Sequence, residues 1–474
     1  MKPAGRRVSG EMVATYGFNV PCRRFLITSN IARDRRLPMV DEFVLRLLKL
    51  GERVPASRIG AFFGFSTNET FTVLADLKRR GLVDIVGEDV ELTVSAHELF
   101  LPGRDGPPQM VEVETWVDRI WFDLVSRNMM TPERTRPLDH LIDLKPLATS
   151  KEIPARFARE AFEQNFTDFL KGVRRINNPD RYSLYSVSDV SPDRFGSVVV
   201  SGGMELQLDP APRLVPRLME ADAVESSKFK LLTEAMHNAI LGLTHAEPTQ
   251  TGLAEFRRLT GDQSLTAHHN GGLFLSVEAW LADPTLQAST RATVVGAAYT
   301  ERNITNFIRA VERRGLTRLK GRPPRALELR WYRPGGSSWG ASQDIQHVVP
   351  ALAAVVRKGL STPCTIRSTI VTPVSARKDT VGKFTRLFDR GLCSPPSHLA
   401  STTEVLVVEG VAAMVLTRAA LSKTVDIPVG LILTNEADLR RLDAGLKSAL
   451  SGADYDSLWQ RAAVEEDRGA VAEA

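Results

Sequence analysis

The feature that most limits what this chain can fold into is the alternation of strands and helices in its second half. Short, almost uninterrupted apolar runs are typical of buried strands, and the segments between them repeat apolar residues at helical spacing. Strands are predicted at 291–300, 326–332, 364–375, 404–410, 411–421 and 425–434, and helices at 226–243, 303–315, 344–359 and 437–450. This order predicts an α/β domain with a mixed sheet over about residues 211–450.

Composition excludes several classes of protein. The 474 residues are 43% hydrophobic and 25% charged, which excludes a wholly disordered or collagen-like chain. Cys22, Cys364 and Cys393 lie far apart and form no CxxC pair, which favours a reducing compartment. The N-terminus lacks a signal-peptide core, and the apolar stretch 405–416 is short and is interrupted by Glu409. We therefore expect a cytoplasmic protein with no membrane partner.

Three helical segments and a hairpin are predicted near the N-terminus. Helices are expected at 38–51, 55–64 and 66–81, and Ser66 with Glu69 forms a capping box at the start of the third. Two short strands follow around Gly87. Residues 38–100, and above all the stretch from Arg58-Ile59-Gly60 to Leu82-Val83, resemble a winged helix-turn-helix domain.

This resemblance implies DNA binding through the third helix, which in winged-helix proteins enters the major groove. The side chains expected at base edges are Thr67, Asn68, Thr70 and Thr72, and those expected at phosphates are Lys78, Arg79 and Arg80. The wing, however, carries Asp84, Glu88, Asp89 and Glu91, which repel phosphate. Docking of other proteins therefore stays open as an alternative.

The regions on either side of this domain carry weaker signals. Residues 1–37 hold eight Lys and Arg against Glu11 and Asp34, which predicts either a phosphate-binding arm or a solvated terminus. Residues 113–124 read as an aromatic strand or a docking segment, and 152–175 as an amphipathic helix. The segments 182–190 and 195–208 are predicted to be two strands joined by a turn.

The stretch 401–434 resembles the end of a phospholipase D-like half-domain, and Val429-Gly430-Leu431 matches its last strand. That family carries the motif H-x-K-x4-D, which this chain lacks. On this sequence the His position falls on Thr402, the Lys position on Glu404, the Asp position on Glu409, and a later hydroxyl position on Thr417. A threonine without a base beside it is a poor nucleophile, and a carboxylate repels phosphate. The resemblance thus implies an α/β sandwich without catalytic residues, metal or cofactor.

The densest charge lies between Arg302 and Arg333, with ten basic residues against Glu312 and Glu328. Four aromatic residues border this segment: Tyr299, Trp331, Tyr332 and Trp339. Cations with neighbouring aromatics suit phosphate contact and base stacking, whereas the alternative is a solvated helix face. The residues expected to grip DNA are Arg309, Arg313, Arg314, Arg318, Lys320 and Arg322. A second basic cluster at 367–390 extends the same surface.

The sequence as a whole predicts a multi-domain α/β protein. The regions expected are a basic N-terminal arm (1–37), a winged helix-turn-helix domain (38–103), a connecting α+β region (104–210), a degenerate phospholipase D-like domain (211–450) and an acidic tail (451–474). The function expected is that of a non-catalytic, duplex-DNA-binding recognition subunit of a bacterial multi-protein complex, a setting that the resemblance connects with anti-phage defence. The alternatives are a phosphodiesterase or nuclease that uses His268 and His269, and an adaptor that docks other proteins through the winged helix and 113–124.

Overall fold

The computed structural model describes residues 9–100, 109–130, 136–146, 154–218, 230–270, 272–287, 291–319, 324–360, 364–395, 399–450 and 455–461. Those residues form a multi-domain α/β fold with several sheets, as the sequence predicts. Among them, no helix is both long enough and apolar enough to cross a bilayer. Elements are numbered in chain order.

A sheet with two very long strands organises the N-terminal half. Strand β1 (Glu11–Arg36) lies between β5 (Gln109–Asp123) and β8 (Tyr182–Gln207), antiparallel to both. The shorter strands are β6 (Met129–Met130), β7 (Ile142–Asp143) and β9 (Arg213–Leu218). The prediction of a basic arm was therefore wrong for residues 11–36, because Phe18, Val20, Phe25 and Ile27 are buried in this sheet.

The predicted pair of strands at 182–208 is instead the single strand β8. The turn expected at 191–194 is a β-bulge, because Pro192 pairs with Phe25 and Phe195 pairs with Arg23, so that residues 193–194 lie opposite Arg24 alone. The bulge accommodates a proline in a strand without ending it. The predicted helix at 152–175 is confirmed but interrupted. It consists of α5 (Ala155–Gln164), α6 (Phe166–Asp168) and a π-helical turn at Phe169–Val173, which pack Phe162 and Phe169 on the sheet.

The winged-helix architecture predicted from the sequence is present between β1 and β5. Its elements are α1 (Met39–Gly51), β2 (Arg53–Pro55), α2 (Ala56–Phe63), α3 (Thr67–Arg79), β3 (Val83–Val86), β4 (Asp89–Leu92) and α4 (Val94–Glu98). The capping box is formed, since Ser66 Oγ accepts from Glu69 N and Glu69 accepts from Ser66 N at 2.8 Å. Leu48, Leu74 and Val90 lie in the core between these helices and a three-stranded sheet, in which the strand order is β2-β4-β3.

The C-terminal half contains a mixed eight-stranded sheet. Its strands are β12 (Ala292–Val295), β13 (Ala326–Tyr332), β14 (Thr365–Thr372), β15 (Arg390–Cys393), β16 (Glu404–Val408), β17 (Ala412–Ala420), β18 (Asp426–Leu433) and β19 (Asp456–Gln460), in the order β12-β18-β17-β16-β13-β14-β15-β19. Strands β13, β14 and β15 are parallel, and the other pairs are antiparallel.

Helices cover both faces of this sheet, which makes it an α/β sandwich. The elements are α7 (Lys230–Leu241), α8 (Gln250–Thr260), α9 (Ser264–Ala267), β10 (His269–Asn270), β11 (Phe274–Leu275), α10 (Val277–Leu281), α11 (Pro284–Gln287), α12 (Glu301–Ala310), α13 (Leu316–Leu319), α14 (Ile345–Gly359), α15 (Arg377–Phe384) and α16 (Glu436–Leu450). Along β17, Ala413 and Val415 pack against α8, α10 and α16, whereas Met414 and Leu416 pack against α12, α14 and α15.

The acidic tail predicted at 451–474 is partly wrong. Residues Asp456–Gln460 form the edge strand β19, which pairs with β15. Its Trp459 packs on the backbone at Gly391, where an added Cβ would lie 2.2 Å from the indole ring. Its Nε1 donates to the carbonyl of Phe388 at 3.1 Å. Residues 451–454 and 462–474 lie outside the described residues.

Candidate functional site

The C-terminal sheet has two edges that hold different candidate sites. Strands β13 and β14 run in parallel, and Ala326 pairs with Thr365 at the edge where both begin. We name this the amino edge, and the opposite end of the same strands the carboxyl edge. Strand β16 is antiparallel to β13, with Val405 opposite Tyr332 and Val408 opposite Leu329. Glu404 therefore lies at the carboxyl edge, and the turn that follows Val408 lies at the amino edge.

Three of the four predicted degenerate motif positions meet at the carboxyl edge. The hydroxyl of Thr417 donates to the hydroxyl of Thr402 at 3.4 Å, and Glu404 is two residues further along the chain. Gly252, in the first turn of α8, packs onto this threonine pair, because an added Cβ would lie 2.1 Å from Thr402 Oγ1. The fourth position, Glu409, lies at the amino edge and pairs with Arg330 at 2.8 Å.

Glu404 is a buried carboxylate with one satisfied oxygen. Its side chain is enclosed, and its Oε1 accepts hydrogen bonds from the indole nitrogens of Trp331 and Trp339, both at 2.8 Å. Burial raises the pKa of Glu404 to about 7, although the indole hydrogen bonds and the charges of Arg333 and Arg418 act in the opposite direction. The group can therefore change charge near neutral pH.

A cavity of about 220 Å³ lies beside Glu404, between the first sheet and the carboxyl edge. Its walls come from β1, α7, β17, β18 and the loop after β13. Within it, Arg418 donates to Asp426 at 2.6 Å, and the imidazole of His245 lies 3.1 Å from the same carboxylate. Burial raises the pKa of Asp426, but the hydrogen bond from His245 and the charge of Arg418 more than offset this and lower it overall.

The amino edge collects cations from three elements. Arg309 lies in the last turn of α12, and Arg313 lies in the π-helical turn Val311–Gly315 that follows it. Arg357 and Lys358 end α14, and all four side chains are exposed. Arg325, also exposed, immediately precedes β13. The two helices end side by side, since an added Cβ at Gly359 would lie 2.6 Å from Leu316. Arg314 is exposed at the same place and has a partner of its own.

The other residues of the Arg-rich segment 302–333 and its aromatic neighbours fall into three groups: paired cations, side chains outside the described residues, and buried aromatic rings. Arg302 pairs with Glu11, and Arg333 is buried against Asp379 at 3.1 Å. The side chain of Arg318 and all of Lys320 and Arg322 lie outside the described residues. The aromatic residues expected as stacking platforms, Tyr299, Trp331, Tyr332 and Trp339, are all buried. That part of the prediction was wrong, because these rings form the core beneath the cations.

The third helix of the winged helix exposes only part of its predicted DNA-contacting set. Asn68 and Lys78 are exposed. Thr70 was wrongly predicted to face outward: it is buried against Gly60 of α2, and its hydroxyl donates to the Ser66 carbonyl at 2.9 Å. Arg79 pairs with Asp76, and Arg80 pairs with Asp41 and with Asp76. Those pairs compete with any phosphate contact.

The two histidines of the nuclease alternative have different environments. The Nε2 of His268 lies 2.8 Å from Asp283, whereas the Nδ1 of His269 lies 2.5 Å from the carbonyl of Leu265. Hydrogen bonds from Thr285 and from His268 lower the pKa of Asp283 to about 2. In the ranges that the structure describes, no group of three or more His, Cys, Asp or Glu side chains could hold a metal ion.

Sequence reasoning counted Arg325 in the Arg-rich segment but did not name it as a DNA contact, and it missed Arg357 and Lys358. These two are separated along the chain from that segment, and the fold brings them to the same edge. A signal was available, because a helix that follows a parallel strand returns to the edge where the next strand begins. The last turn of α14 and the residue before β13 are therefore expected at one edge.

No protein-family model matches the chain, and no curated protein matches it. Among solved structures, a phospholipase D family member, Nuc from Salmonella typhimurium, is 10% identical and covers 35% of this chain and 97% of its own, with a TM-score of 0.21. TrmBL2, an archaeal chromatin protein with a novel mode of DNA binding, is 8% identical over 89% of this chain and 95% of its own, with a TM-score of 0.21. At these TM-scores, neither similarity assigns an activity or a ligand to this chain.

Proposed function

We propose that this protein binds duplex DNA without cleaving it, and that the amino edge of the C-terminal sheet holds the phosphate backbone. The observation that carries the proposal is a set of exposed cations for which no carboxylate partner occurs among the described residues: Arg309, Arg313, Arg325, Arg357 and Lys358. Several other cations on this domain are paired, including Arg367 with Glu328 and Arg440 with Glu436. Unpaired cations on one surface are what a polyanion requires.

The opposite edge supports a non-catalytic role. Phosphoryl chemistry at the degenerate motif positions would need a nucleophile and a cation to stabilise the phosphate. Thr402 instead shares a hydrogen bond with Thr417, and Glu404 brings negative charge. The packing of Gly252 against Thr402 also leaves little room for a phosphate there.

The finer parts of the proposal concern organisation and partners. We propose the predicted domain limits of 38–103 and 211–450, and a place for the chain as the recognition subunit of a larger complex. Exposed Phe62 and Phe71, at 68% and 72%, give a partner subunit apolar surface to cover. A part in anti-phage defence remains a prediction.

The test is fluorescence anisotropy with a labelled DNA duplex over a range of salt concentrations. The variant Arg309→Glu/Arg313→Glu should bind at least tenfold more weakly, because each reversal replaces attraction to phosphate by repulsion. Its slope of log affinity against log salt should become shallower by about 0.9 for each phosphate that the variant no longer neutralises. The matched control is Arg213→Glu/Lys423→Glu, the same charge change on an exposed residue of β9 and an exposed residue of the turn after β17 at the carboxyl edge. Equal affinity of both variants and the unmodified protein would overturn the proposal.

Protein docking by the winged helix is a second candidate function. Residues 38–100 carry ten acidic against seven basic side chains, and α1 exposes Met39, Phe43 and Leu50 along one face. An acidic module with exposed apolar residues suits a protein partner better than a polyanion. In the same anisotropy assay, docking predicts unchanged DNA affinity for Lys78→Glu/Arg79→Glu, whereas a loss of tenfold or more would assign DNA contact to α3.

A further inference from the structure

We infer that the cavity at the carboxyl edge binds a small organic molecule that carries a primary ammonium group, which Glu404 receives. This site is independent of the proposed DNA surface, because it lies at the other end of the same strands. Four observations carry the inference: an unpartnered buried carboxylate oxygen, the charge balance of the lining, its apolar wall, and the size of the cavity.

The first observation is the second oxygen of Glu404. Its Oε1 is occupied by the two indole donors, but no described residue donates to Oε2. Glu404 is only 4% exposed, and it lines the cavity. Its Oε2 has no hydrogen-bond partner among the described residues, but protein atoms do not enclose it completely. The free oxygen therefore faces the cavity, where a hydrogen-bond donor would satisfy it.

The second observation is the net charge of the cavity lining once each ion pair is counted as neutral. Arg418 and Asp426 compensate each other within the lining, and His245 bonds to the same Asp426. Arg333, whose charge lowers the pKa of Glu404, is paired with Asp379. Tyr16 and Tyr299 have raised pKa values owing mainly to burial, so their phenols stay neutral. A ligand near Glu404 thus meets one uncompensated carboxylate.

The third and fourth observations limit the rest of the ligand. Much of the lining is apolar, with Val13, Met204, Leu214, Ile240 and Ile427 among its residues. That surface suits a short alkyl chain attached to the ammonium. A volume of about 220 Å³ holds a molecule of modest size and excludes a nucleic-acid strand or a peptide loop. The ligand class is therefore a short monoalkylamine rather than a diamine, a sugar phosphate or a nucleotide.

The experiment is isothermal titration calorimetry of the full chain with n-propylamine and n-butylamine as probes. The neutral analogue n-butanol and the anion butyrate serve as matched controls. We expect the amines to bind at least tenfold more tightly than either control. Glu404→Gln should abolish that preference, because glutamine keeps an oxygen for the indoles and removes the charge. Equal binding of n-butanol and n-butylamine, or tighter binding of butyrate, would overturn the inference.

The pH dependence of the unmodified protein gives a readout that does not rely on a variant folding. Amine affinity should rise by at least fivefold between pH 6 and pH 8, since the carboxyl group must ionise to pair with the ammonium. His245 is the imidazole in the lining, so His245→Gln separates its contribution from that of Glu404. That variant should retain the rise if Glu404 is the receptor. A flat profile in the unmodified protein, or loss of the rise in His245→Gln, would contradict the assignment to Glu404.

Discussion

The two edges of the C-terminal sheet use charge in opposite ways. At the amino edge, cations from α12, α14 and the start of β13 are exposed, and five of them have no carboxylate partner among the described residues. At the carboxyl edge, Arg333 and Arg418 are each paired with a carboxylate, and the unsatisfied group is the buried Glu404. One domain thus presents a surface for a polyanion and, at the other end of its strands, a cavity for a cation.

The difference shows that the charge of a sequence segment does not locate a binding surface. One basic run of the sequence contains both kinds of cation. Of its members Arg302, Arg309, Arg330 and Arg333, only Arg309 is both exposed and unpaired within the described part of the chain. The others neutralise Glu11, Glu409 and Asp379. A cation that is buried with a carboxylate contributes to folding, whereas an exposed, unpaired one is available to a ligand. The predictions that follow separate these two uses.

The largest expected effect is on folding, at Arg333. This guanidinium is buried and donates to Thr380 Oγ1 at 2.8 Å, to Asp379 at 3.1 Å and to the carbonyl of Gly336 at 2.5 Å. Arg333→Met leaves those acceptors without their donor, and should lower the free energy of unfolding by about 3–5 kcal/mol. Urea unfolding measures the change. The control Arg440→Met, at an exposed pair, should change stability by less than about 1 kcal/mol. If Arg333→Met lowered the free energy of unfolding by less than about 1 kcal/mol, the Arg333–Asp379 pair would not stabilise the fold.

The second prediction concerns the stability contributed by Glu404. Its pKa of about 7 in the folded state lies above the ordinary 4.5, so the native state retains a proton that the unfolded chain releases between those values. Stability should therefore fall as the pH rises from 4.5 to 7 and level off above. Glu404→Gln should remove this fall, and at pH 8 the variant should be the more stable protein by at most about 3 kcal/mol.

Urea unfolding at pH 5, 6, 7 and 8 would measure this dependence. The matched control is Glu409→Gln, which removes an exposed carboxylate at the amino edge and should leave the profile parallel to that of the unmodified protein. A Glu404→Gln profile with an undiminished slope would show that another group causes the pH dependence, and would weaken the contrast between the edges.

The sequence predicted the elements better than their assembly. Apolar runs such as 404–408 and the Ser66–Glu69 capping box depend on local spacing, and the structure confirms both. The strand at residues 11–36 could not be predicted from local sequence, because its basic residues suggested a solvated arm. Its apolar residues are buried only because β5 and β8 pair with it. The orientation of Thr70 depends on the contact with Gly60, which no periodicity reveals.

The candidate sites show the same limit. The motif comparison placed Thr402, Glu404 and Thr417 together, and the structure brings them together through the pairing of β16 with β17. Glu409 was separated from them by the length of β16. The cavity next to Glu404 could not be predicted, because its walls come from strands and helices more than 200 residues apart in sequence, including Val13 and Ile240.

The third prediction tests the two cations that α14 contributes to the amino edge. Arg357→Glu/Lys358→Glu should lower DNA affinity at least tenfold, which is about 1.4 kcal/mol of binding free energy, because these side chains end the helix beside Leu316. Anisotropy with the duplex used for the Arg309/Arg313 variant measures the loss. Arg213→Glu/Lys423→Glu is the control, since it makes the same charge change on exposed residues away from the amino edge. An equal loss in the control would indicate general attraction to a basic protein rather than a defined edge.

The smallest expected effect separates the winged helix from the amino edge. Asn68 is the exposed residue of α3 that is best suited to a base edge, and it carries no charge. If the amino edge supplies most of the affinity, Asn68→Ala should weaken binding to an arbitrary duplex by less than about twofold and leave the salt slope unchanged. Ser95→Ala, at an exposed position of α4 outside the predicted DNA-contacting set, is the matched control. A tenfold loss confined to Asn68→Ala would assign base readout to the winged helix, and the amino edge would then be its auxiliary phosphate contact.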